Sequence, residues 1–236
     1  MALKGQLVAR DSLDQDTKRA MLALMQSFYD GVREEAFAND LSKKDTCILL
    51  YGDDGSLQGF STQQVLTISV GGGQAKGVFS GDTIIHPDSW GSLELYKVFA
   101  RHFFDREPEP LYWFLISKGY KTYKMLPTFM KEFWPRHDAE TPADARAVMA
   151  AFGAHLYPGE YNPETGVVEY RGEKDKLKAG VADVTPGRLR DADIAFFVEN
   201  NPGYARGNDL VCLTRLSREN LVPRAERLLF QDRPGK

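Results

Sequence analysis

The feature that most constrains the fold is a series of three β-forming stretches that follow one another early in the chain. Thr46–Tyr51 is a short apolar run, Leu57–Ser69 is rich in β-forming residues, and Gly77–Ile85 is a third such stretch. Short turns built from Gly and Asp join them at 52–55 and 71–73. Turns of this length connect neighbouring antiparallel strands, so the sequence predicts an antiparallel meander.

Helical patterns precede and follow this meander. Residues 12–31 place capping residues before apolar positions at helical spacing, and Arg33–Leu41 continues as a shorter helix. After the meander, a polar loop at 86–92 leads into an amphipathic helix over 93–104, and Leu111–Ser117 is a fully apolar run of strand length. A further segment that is helical in part follows this strand. The resulting order predicts an α+β fold.

The last hundred residues have a different pattern. Thr141–Leu156 predicts a helix, because a capping Thr and a Pro at the first position precede an Ala-rich body. The other elements predicted here are a hairpin over 161–170, a charged loop over 172–180, a short helix over 191–199 and a strand over 210–216. We divide the chain into a core over 1–138 and a C-terminal α/β extension over 139–236 that packs on this core.

Charge and composition exclude several classes of protein. The chain has 30 Lys and Arg residues against 33 Asp and Glu residues, which gives a net charge of −3. This balance argues against a nucleic-acid partner, which would require many cationic contacts to phosphate. No run approaches the roughly 18 apolar residues of a spanning helix, and the amino terminus lacks the apolar core of a signal peptide. The two cysteines form no disulfide framework, so we expect a cytoplasmic protein and make no prediction of its oligomeric state.

The order of elements over residues 7–136 resembles the core of the GNAT superfamily of acyl-CoA N-acyltransferases. The strongest local match is Thr83–Ser92, which resembles the end of the family's fourth strand and the loop behind it. Leu111–Ser117 resembles the fifth strand, and Glu132–Pro135 resembles the segment after the fourth helix. Shorter stretches on these two strands also resemble uncharacterised bacterial GNAT-like proteins. The resemblance implies a GNAT-like mixed, mostly antiparallel sheet flanked by helices.

The same resemblance implies an enzyme that moves an acyl group from a pantetheine thioester to an amine. In that family the fourth and fifth strands part, here near Ile85 and Ser117, and the pantetheine arm lies in the gap like an added strand. The loop and helix behind the gap offer backbone N–H groups to phosphate. No cofactor is bound permanently; acyl-CoA or acyl-phosphopantetheine is the co-substrate. The residues expected to bind it are Thr83, Ile84, Ile85, Trp90, Gly91, Ser92, Trp113, Lys118 and Lys121.

The candidates for proton transfer lie close to this donor site in sequence. Asp82 lies within a strand, where an unpaired carboxylate is costly to bury, and His86 ends that strand with a pKa suited to a base. Either would take the proton of the amine; alternatively, Asp82 faces solvent and His86 is structural. The family's usual Tyr acid falls near Phe129, so Tyr120 and Tyr123 are the nearest candidates to protonate the thiolate.

Three further residues are candidates for the acceptor site. Ser80 lies on the same strand as Asp82, and Tyr204 and Arg206 lie in a stretch of turn-forming residues that would serve as a lid or acceptor loop. Arg206 would then bind a carboxylate or a phosphate. The simpler interpretation of this stretch is a tight turn between a helix and a strand. The histidines show no metal-ligand spacing, so we predict no metal site.

Several features of the sequence are compatible with more than one acyl donor and more than one length of acyl chain. Leu93 and Leu95 stand where the family's phosphate loop carries small residues, which implies an altered diphosphate site. Five basic residues against one acidic lie between 117 and 136, which suits either an acyl carrier protein or a solvated helix face. Thirteen of the 27 aromatic residues lie between 90 and 136, as a core or as the wall of a long acyl tunnel. The alternatives are a GNAT-shaped binding module without turnover, or a carrier-protein-dependent synthase of an acylated signal or lipid.

Overall fold

The computed structural model describes residues 3–106, 111–172 and 175–231. In chain order its strands and helices are β1 (Lys4–Ala9), α1 (Gln15–Phe28), β2 (Tyr29–Asp30), α2 (Glu34–Ser42), β3 (Thr46–Tyr51), β4 (Leu57–Val70), β5 (Gly73–Ile85), α3 (Glu94–Phe103), β6 (Tyr112–Ser117), α4 (Tyr120–Tyr123), α5 (Met125–Phe129), β7 (Phe133–Trp134), α6 (Ala143–Leu156), β8 (Tyr161–Asn162), β9 (Val167–Val168), β10 (Lys176–Leu177), α7 (Ala192–Asn200), β11 (Asp209–Arg215) and α8 (Pro223–Phe230).

One mixed sheet forms the centre of this structure. Its strands lie in the order β1, β3, β4, β5, β6, β11, β9 and β8, and β7 also pairs with β11. Neighbouring strands are antiparallel except for β5 and β6, which run parallel. A separate two-stranded sheet joins β2 to β10. The predicted α+β class, with a mostly antiparallel sheet flanked by helices, is confirmed.

The predicted meander corresponds to β3, β4 and β5. The turn between β4 and β5 contains Gly71 and Gly72, whose φ angles of 57° and 84° belong to the left-handed region. A two-residue hairpin turn of the primed type needs positive φ at both central residues, which glycine adopts at little cost. The glycines seen in the sequence therefore fix the tight connection between these two long strands.

Helices cover both faces of the sheet, and the alternation of side chains along β3 shows how. Cys47 and Leu49 pack with α1 and α2 on one face, whereas Ile48 and Leu50 face a second cluster with α3. Helix α6 lies on the same face as α1 and α2, where Phe152 stacks on Phe114 of β6. Helices α5, α7 and α8 join α3 on the opposite face. Because both faces are covered, β3 and β6 are almost continuously apolar in sequence.

Several elements differ from the sequence-based expectation. Strand β1 and helix α8 were not predicted, and the expected charged loop over 172–180 contains the short strand β10. The segment after β6, expected to be helical in part, forms two short helices, α4 and α5. Strand β11 of the C-terminal segment pairs with β6 over six residues, from Leu210–Ser117 to Arg215–Tyr112. This segment therefore contributes a strand to the interior of the main sheet.

Candidate active site

Strands β5 and β6 pair over only four residues and then separate. Their parallel ladder runs from Gly77–Tyr112 to Ser80–Leu115. Beyond it, β5 continues to Ile85 and β6 continues to Ser117 without pairing to each other. The structure thus contains the gap between these two strands that the sequence predicted.

A β-bulge lies at the point where the two strands separate. Between β4 and β5, Ser61 pairs with Thr83 and Gln63 pairs with Ser80, so Gly81 and Asp82 together lie opposite a single residue. An extra residue bends a strand and increases its twist. The bulge therefore accounts for the way β5 turns away from β6.

The unpaired end of β5 presents main-chain groups to the gap. The His86 N–H donates to the Gln58 carbonyl at 2.7 Å, so this pair lies on the hydrogen-bonded side of the ladder with β4. Hydrogen-bonded pairs alternate along an antiparallel ladder. The main-chain groups of Thr83 and Ile85 consequently point away from β4, toward the position that β6 has left.

A cleft of about 490 Å³ opens beside this end of β5, and we call it the outer cleft. Its walls come from β5, the loop that follows it, α3 to α5, the end of α1, and the segment after β10. The lining is mainly apolar, with Tyr96, Met125 and Phe129 on one side and Leu177 on the other. Eight of the nine residues predicted for the donor site line this cleft: Thr83, Ile84, Ile85, Trp90, Gly91, Ser92, Lys118 and Lys121.

Trp90 and Lys121 meet across the mouth of the outer cleft. Trp90 is 50% exposed, and its indole N–H donates to the Ile85 carbonyl at 2.8 Å. The Lys121 ammonium lies 3.6 Å from the centre of the indole ring, within cation–π distance. Partial burial and the nearby Arg188 lower the pKa of Lys121. The indole N–H is thus bonded to one of the main-chain carbonyls that face the gap, that of Ile85.

A second cavity of about 190 Å³ lies between α2 and the end of α6, and we call it the inner pocket. It adjoins the outer cleft at the place where β5 and β6 part, and the two cavities share Thr83 and Lys118 among their walls. Ser80 and Trp113, predicted for the acceptor and donor sites, both line it, and the Trp113 indole N–H donates to the Ser80 hydroxyl at 2.9 Å.

Asp82 lines the inner pocket from the bulge in β5. Burial is the main cause that raises the pKa of its carboxyl, with a further contribution from Asp40, to about 6. Lys44 and Lys118 oppose this increase. No described residue donates a hydrogen bond to the Asp82 carboxyl, although part of the side chain stays accessible through the pocket. It is therefore a half-buried carboxyl, open to the pocket, with a pKa close to neutrality.

The other charged groups of the inner pocket have defined partners. The Lys118 ammonium donates to Asp175 Oδ2 at 2.6 Å, and the Lys44 ammonium donates to Asp40 Oδ1 at 2.8 Å. The Tyr170 hydroxyl donates to Asp209 Oδ2 at 2.9 Å. Despite burial, the pKa of Lys118 is raised, because Asp209, Asp175 and Asp82 surround it. The contact from Lys118 joins the end of β6 to a segment 57 residues away.

The remaining predicted site residues lie elsewhere. His86 lies about 13 Å along the strand from Asp82, at about 3.3 Å per residue, and accepts a hydrogen bond from the Asp88 N–H. The Tyr123 hydroxyl donates to the Pro135 carbonyl at 3.0 Å. Among the described residues that line the two cavities, these two and Tyr120, Tyr204 and Arg206 do not occur.

The basic cluster predicted over 117–136 is largely neutralised by contacts within the chain. Lys118 is paired with Asp175, as described above. Lys124 bridges Asp191 and Asp193, with both contacts at 2.8 Å, and Arg136 forms a two-point contact with Asp138. The Lys131 ammonium donates to the main-chain carbonyl of Glu219 at 2.6 Å. A continuous positive surface is therefore absent from this described segment.

Sequence reasoning missed most of the inner pocket. Its walls include residues that no local pattern marks as functional: Tyr29, Asp40, Lys44, Tyr157, Tyr170, Asp175 and Asp209. One signal was available, because Asp209 opens an apolar strand and a buried carboxylate needs a partner. Among the described residues, no cluster of metal-binding side chains is present, and no helix is both long and apolar enough to span a bilayer.

Comparisons with known proteins give similarities to solved structures at low identity. No family model and no curated protein sequence matches the chain. A protein from Enterococcus faecalis V583, described as a probable N-acyltransferase, aligns with 89% of this chain at a TM-score of 0.45 and 12% identity. The chain spans 64% of the length of that protein.

Two Escherichia coli enzymes give weaker similarities. The ribosomal-protein-S18-alanine N-acetyltransferase aligns over 91% of this chain and 95% of its own, with a TM-score of 0.40 and 11% identity. A GNAT family N-acetyltransferase in complex with CoA aligns over 50% and 65%, with a TM-score of 0.37 and 11% identity. Similarities this low carry no argument about function. The order of elements and the gap between β5 and β6 are nevertheless those of the predicted GNAT-like fold.

Proposed function

We propose that this protein is an N-acyltransferase that moves an acyl group from a pantetheine thioester in the outer cleft to an amine in the inner pocket. One observation carries the proposal. The two cavities meet where β5 and β6 part, and Asp82, a carboxyl without a hydrogen-bond partner among the described residues, lies at that junction. A thioester and an amine that enter from opposite sides would react beside this carboxyl.

The outer cleft supports donor binding through the main chain. The amides of a pantetheine arm can pair with the main-chain groups of Thr83 and with the Ile85 N–H as an added strand would, because β6 leaves these groups unpaired. The Ile85 carbonyl is held by the Trp90 indole. We propose acyl-CoA rather than an acyl carrier protein as the donor. The support is that Lys118, Lys124 and Arg136 are paired within the chain and offer little charge to an acidic partner protein.

The size of the inner pocket favours a short acyl group. About 190 Å³ must hold both the acyl group and the part of the amine that reacts. An apolar cavity of about 150 Å³ is filled by one benzene ring. A long acyl chain would need a tunnel beyond this volume, so we propose acetyl or a group only slightly larger.

Asp82 would act as the general base. At neutral pH its carboxyl is mostly ionised, with a pKa of about 6, and it takes a proton from the amine as the nitrogen attacks the thioester carbonyl. The C–N bond forms as the nitrogen attacks, and the C–S bond breaks as the tetrahedral intermediate collapses. The leaving thiolate needs no strong acid, since a thiol pKa is about 8.5. It takes a proton from solvent, and Asp82 returns to solvent the proton that it took from the amine, so protons balance over the cycle.

The proposal is tested by assaying thiol release from acetyl-CoA with a panel of primary amines at pH 8, alongside calorimetric titration with CoA. We expect CoA binding and amine-dependent thiol release. Binding of CoA without thiol release for any amine would support the alternative of a binding module without turnover. Release from an acyl carrier protein but not from acyl-CoA would reverse the choice of donor.

A further inference from the structure

The charges and rings of the inner pocket define the acceptor more closely than the fold does. We infer that the acceptor is a small primary amine with one positive charge and an uncharged, apolar body of about one ring, and that amines with a neighbouring carboxylate are rejected. This inference rests on the proposed function and deepens it by naming the class of acceptor. Three properties of the pocket support it: its volume, its aromatic walls and the pairing of its charges.

The volume limits the acceptor to a small molecule. The inner pocket measures about 190 Å³, and part of this volume belongs to the acyl group. Because a cavity of about 150 Å³ is filled by one benzene molecule, the body of the acceptor is no larger than about one ring. A folded peptide segment or a nucleotide does not fit in this space.

The walls of the pocket are suited to an apolar body attached to an ammonium group. Phe79, Tyr157 and Tyr170 form a continuous series of edge-to-face contacts, with ring centres 6.3 Å apart in each pair. The chain's own ammonium groups already lie against these rings, with Lys44 4.9 Å from Phe79 and Lys118 5.8 Å from Tyr170. Rings at these distances attract cations and also bury apolar groups.

The pairing of charges leaves one position for an incoming cation. Lys44 is held by Asp40 and Lys118 by Asp175, and Asp209 accepts from Tyr170. Among the described carboxyls of the pocket, Asp82 is the one that accepts no hydrogen bond from the protein. An ammonium group placed there meets the pocket carboxyl that is open to it. Asp209 keeps its charge, because the Tyr170 hydroxyl is neutral, but it acts on Lys118.

The same arrangement disfavours an acceptor carboxylate. In an α-amino acid the carboxylate lies one carbon from the amine, so it would enter the pocket beside Asp82. Like charges placed together in a desolvated site cost several kcal/mol. The cations of the pocket interior, Lys44 and Lys118, are already bound to their own carboxylates. Arg33 also lines the pocket but is exposed, so solvent screens its charge.

The test compares an amine of the predicted class with one that adds a carboxylate and one that has several charges and no ring. Phenethylamine has the predicted ring and single charge; phenylalanine adds a carboxylate to the same skeleton; spermidine has several charges and no ring. Each is measured for kcat/KM with acetyl-CoA at pH 8, and for binding by calorimetry without a donor. We expect phenethylamine to exceed phenylalanine by about 100-fold or more in both measurements, and to exceed spermidine by about 10-fold.

A variant makes the test specific to the charge of the pocket. Asp175→Asn removes one negative charge beside Lys118, so we expect the preference for phenethylamine over phenylalanine to fall by about 10-fold. Asp183→Asn is the matched control, because Asp183 accepts from the Gly180 N–H outside both cavities. The three-amine comparison on the unaltered protein decides the question if Asp175→Asn does not fold.

The outcomes separate this inference from the proposed function. Turnover of phenylalanine or spermidine at rates equal to phenethylamine overturns the acceptor class and leaves the acyltransferase proposal intact. Selective binding of phenethylamine without turnover from any donor overturns the proposed function and leaves the acceptor class intact. Absence of both binding and turnover for phenethylamine overturns the acceptor class, whatever the other amines do.

Discussion

The outer cleft and the inner pocket meet at one bulge but are lined by different chemical groups. The outer cleft is mainly apolar, and its polar groups facing the gap are main-chain groups of β5. The inner pocket is lined by carboxyl, ammonium and phenol groups from segments far apart in the chain. Under the proposed function, the cleft would bind the donor through main-chain groups, whereas the pocket would select the acceptor and react through charged side chains.

Replacing the unpaired carboxyl gives the largest effect that this comparison predicts. Asp82→Asn keeps the shape of the side chain and removes its ability to accept a proton. We expect kcat to fall by about 10²- to 10⁴-fold, the usual contribution of a general base, while CoA binding changes little. Steady-state kinetics and calorimetric titration measure the two properties separately.

Asp88→Asn is the control for that variant, because Asp88 is exposed on the loop after β5. In the unaltered protein, kcat should also increase with pH through about 6, as Asp82 loses its proton. Full activity in Asp82→Asn would remove this carboxyl from the mechanism.

The second prediction concerns the ion pair between Lys118, which follows β6, and Asp175, which precedes β10. Lys118→Met leaves Asp175 and Asp209 without the ammonium between them. Removing one partner of a buried pair costs about 3–5 kcal/mol, so we expect a loss of this size in the free energy of unfolding. Denaturant titration measures it, with Lys76→Met, exposed on β5, as control. Equal stability of both variants would mean that solvent screens the pair.

The third prediction is a gain in stability from the same change that removes activity. The folded state raises the pKa of Asp82 from 3.8 to about 6, so it favours the protonated form. The stability that the protonated carboxyl contributes is complete below about pH 4. It is lost as pH increases through 6, because Asp82 then ionises in the folded state as well. At pH 8, Asp82→Asn should therefore be more stable than the unaltered protein by up to about 3 kcal/mol.

The gain should disappear at pH 4, where both side chains are uncharged. Thermal unfolding of the two proteins at both pH values measures the difference. A variant that is less stable than the unaltered protein at pH 8 would show that ionised Asp82 is stabilised in the fold, and the raised pKa would be wrong.

The smallest effect is expected at the mouth of the outer cleft. Trp90→Phe keeps a ring near Lys121 but removes the hydrogen bond to the Ile85 carbonyl. A neutral hydrogen bond contributes about 0.5–1.5 kcal/mol, and its loss frees this carbonyl for the donor. We expect KM for acyl-CoA to fall by about 2- to 5-fold with kcat unchanged. Trp134→Phe in β7 is the control, and an increased KM would instead assign the indole to donor binding.

The two regions also differ in how far the sequence predicts them. The outer cleft follows from local patterns: the glycine turns, the apolar run at Leu111–Ser117 and the polar loop at 86–92 place most of its walls. The bulge at Gly81 and Asp82 has no local signal, because it depends on the register between β4 and β5.

The inner pocket could not be assembled from local patterns. Lys118 was predicted to bind the donor and to belong to a basic cluster, and it does line the outer cleft. Its partner Asp175, however, lies 57 residues further along the chain. Asp209 reaches the pocket because β11 pairs with β6, a pairing between residues about 93 to 103 positions apart that no periodicity reveals. Strand β1 was missed because its sequence, Lys4–Ala9, contains a single β-branched residue.

The most direct test of the account follows the amides of Thr83 and Ile85 by residue-resolved hydrogen exchange, with and without saturating CoA. If a pantetheine arm pairs with the unpaired end of β5, exchange at these two amides slows by about 10-fold or more, while exchange in β1 is unchanged. Unaltered exchange at both amides, in a sample where calorimetry shows CoA to be bound, would contradict the claim that the gap between β5 and β6 holds the donor.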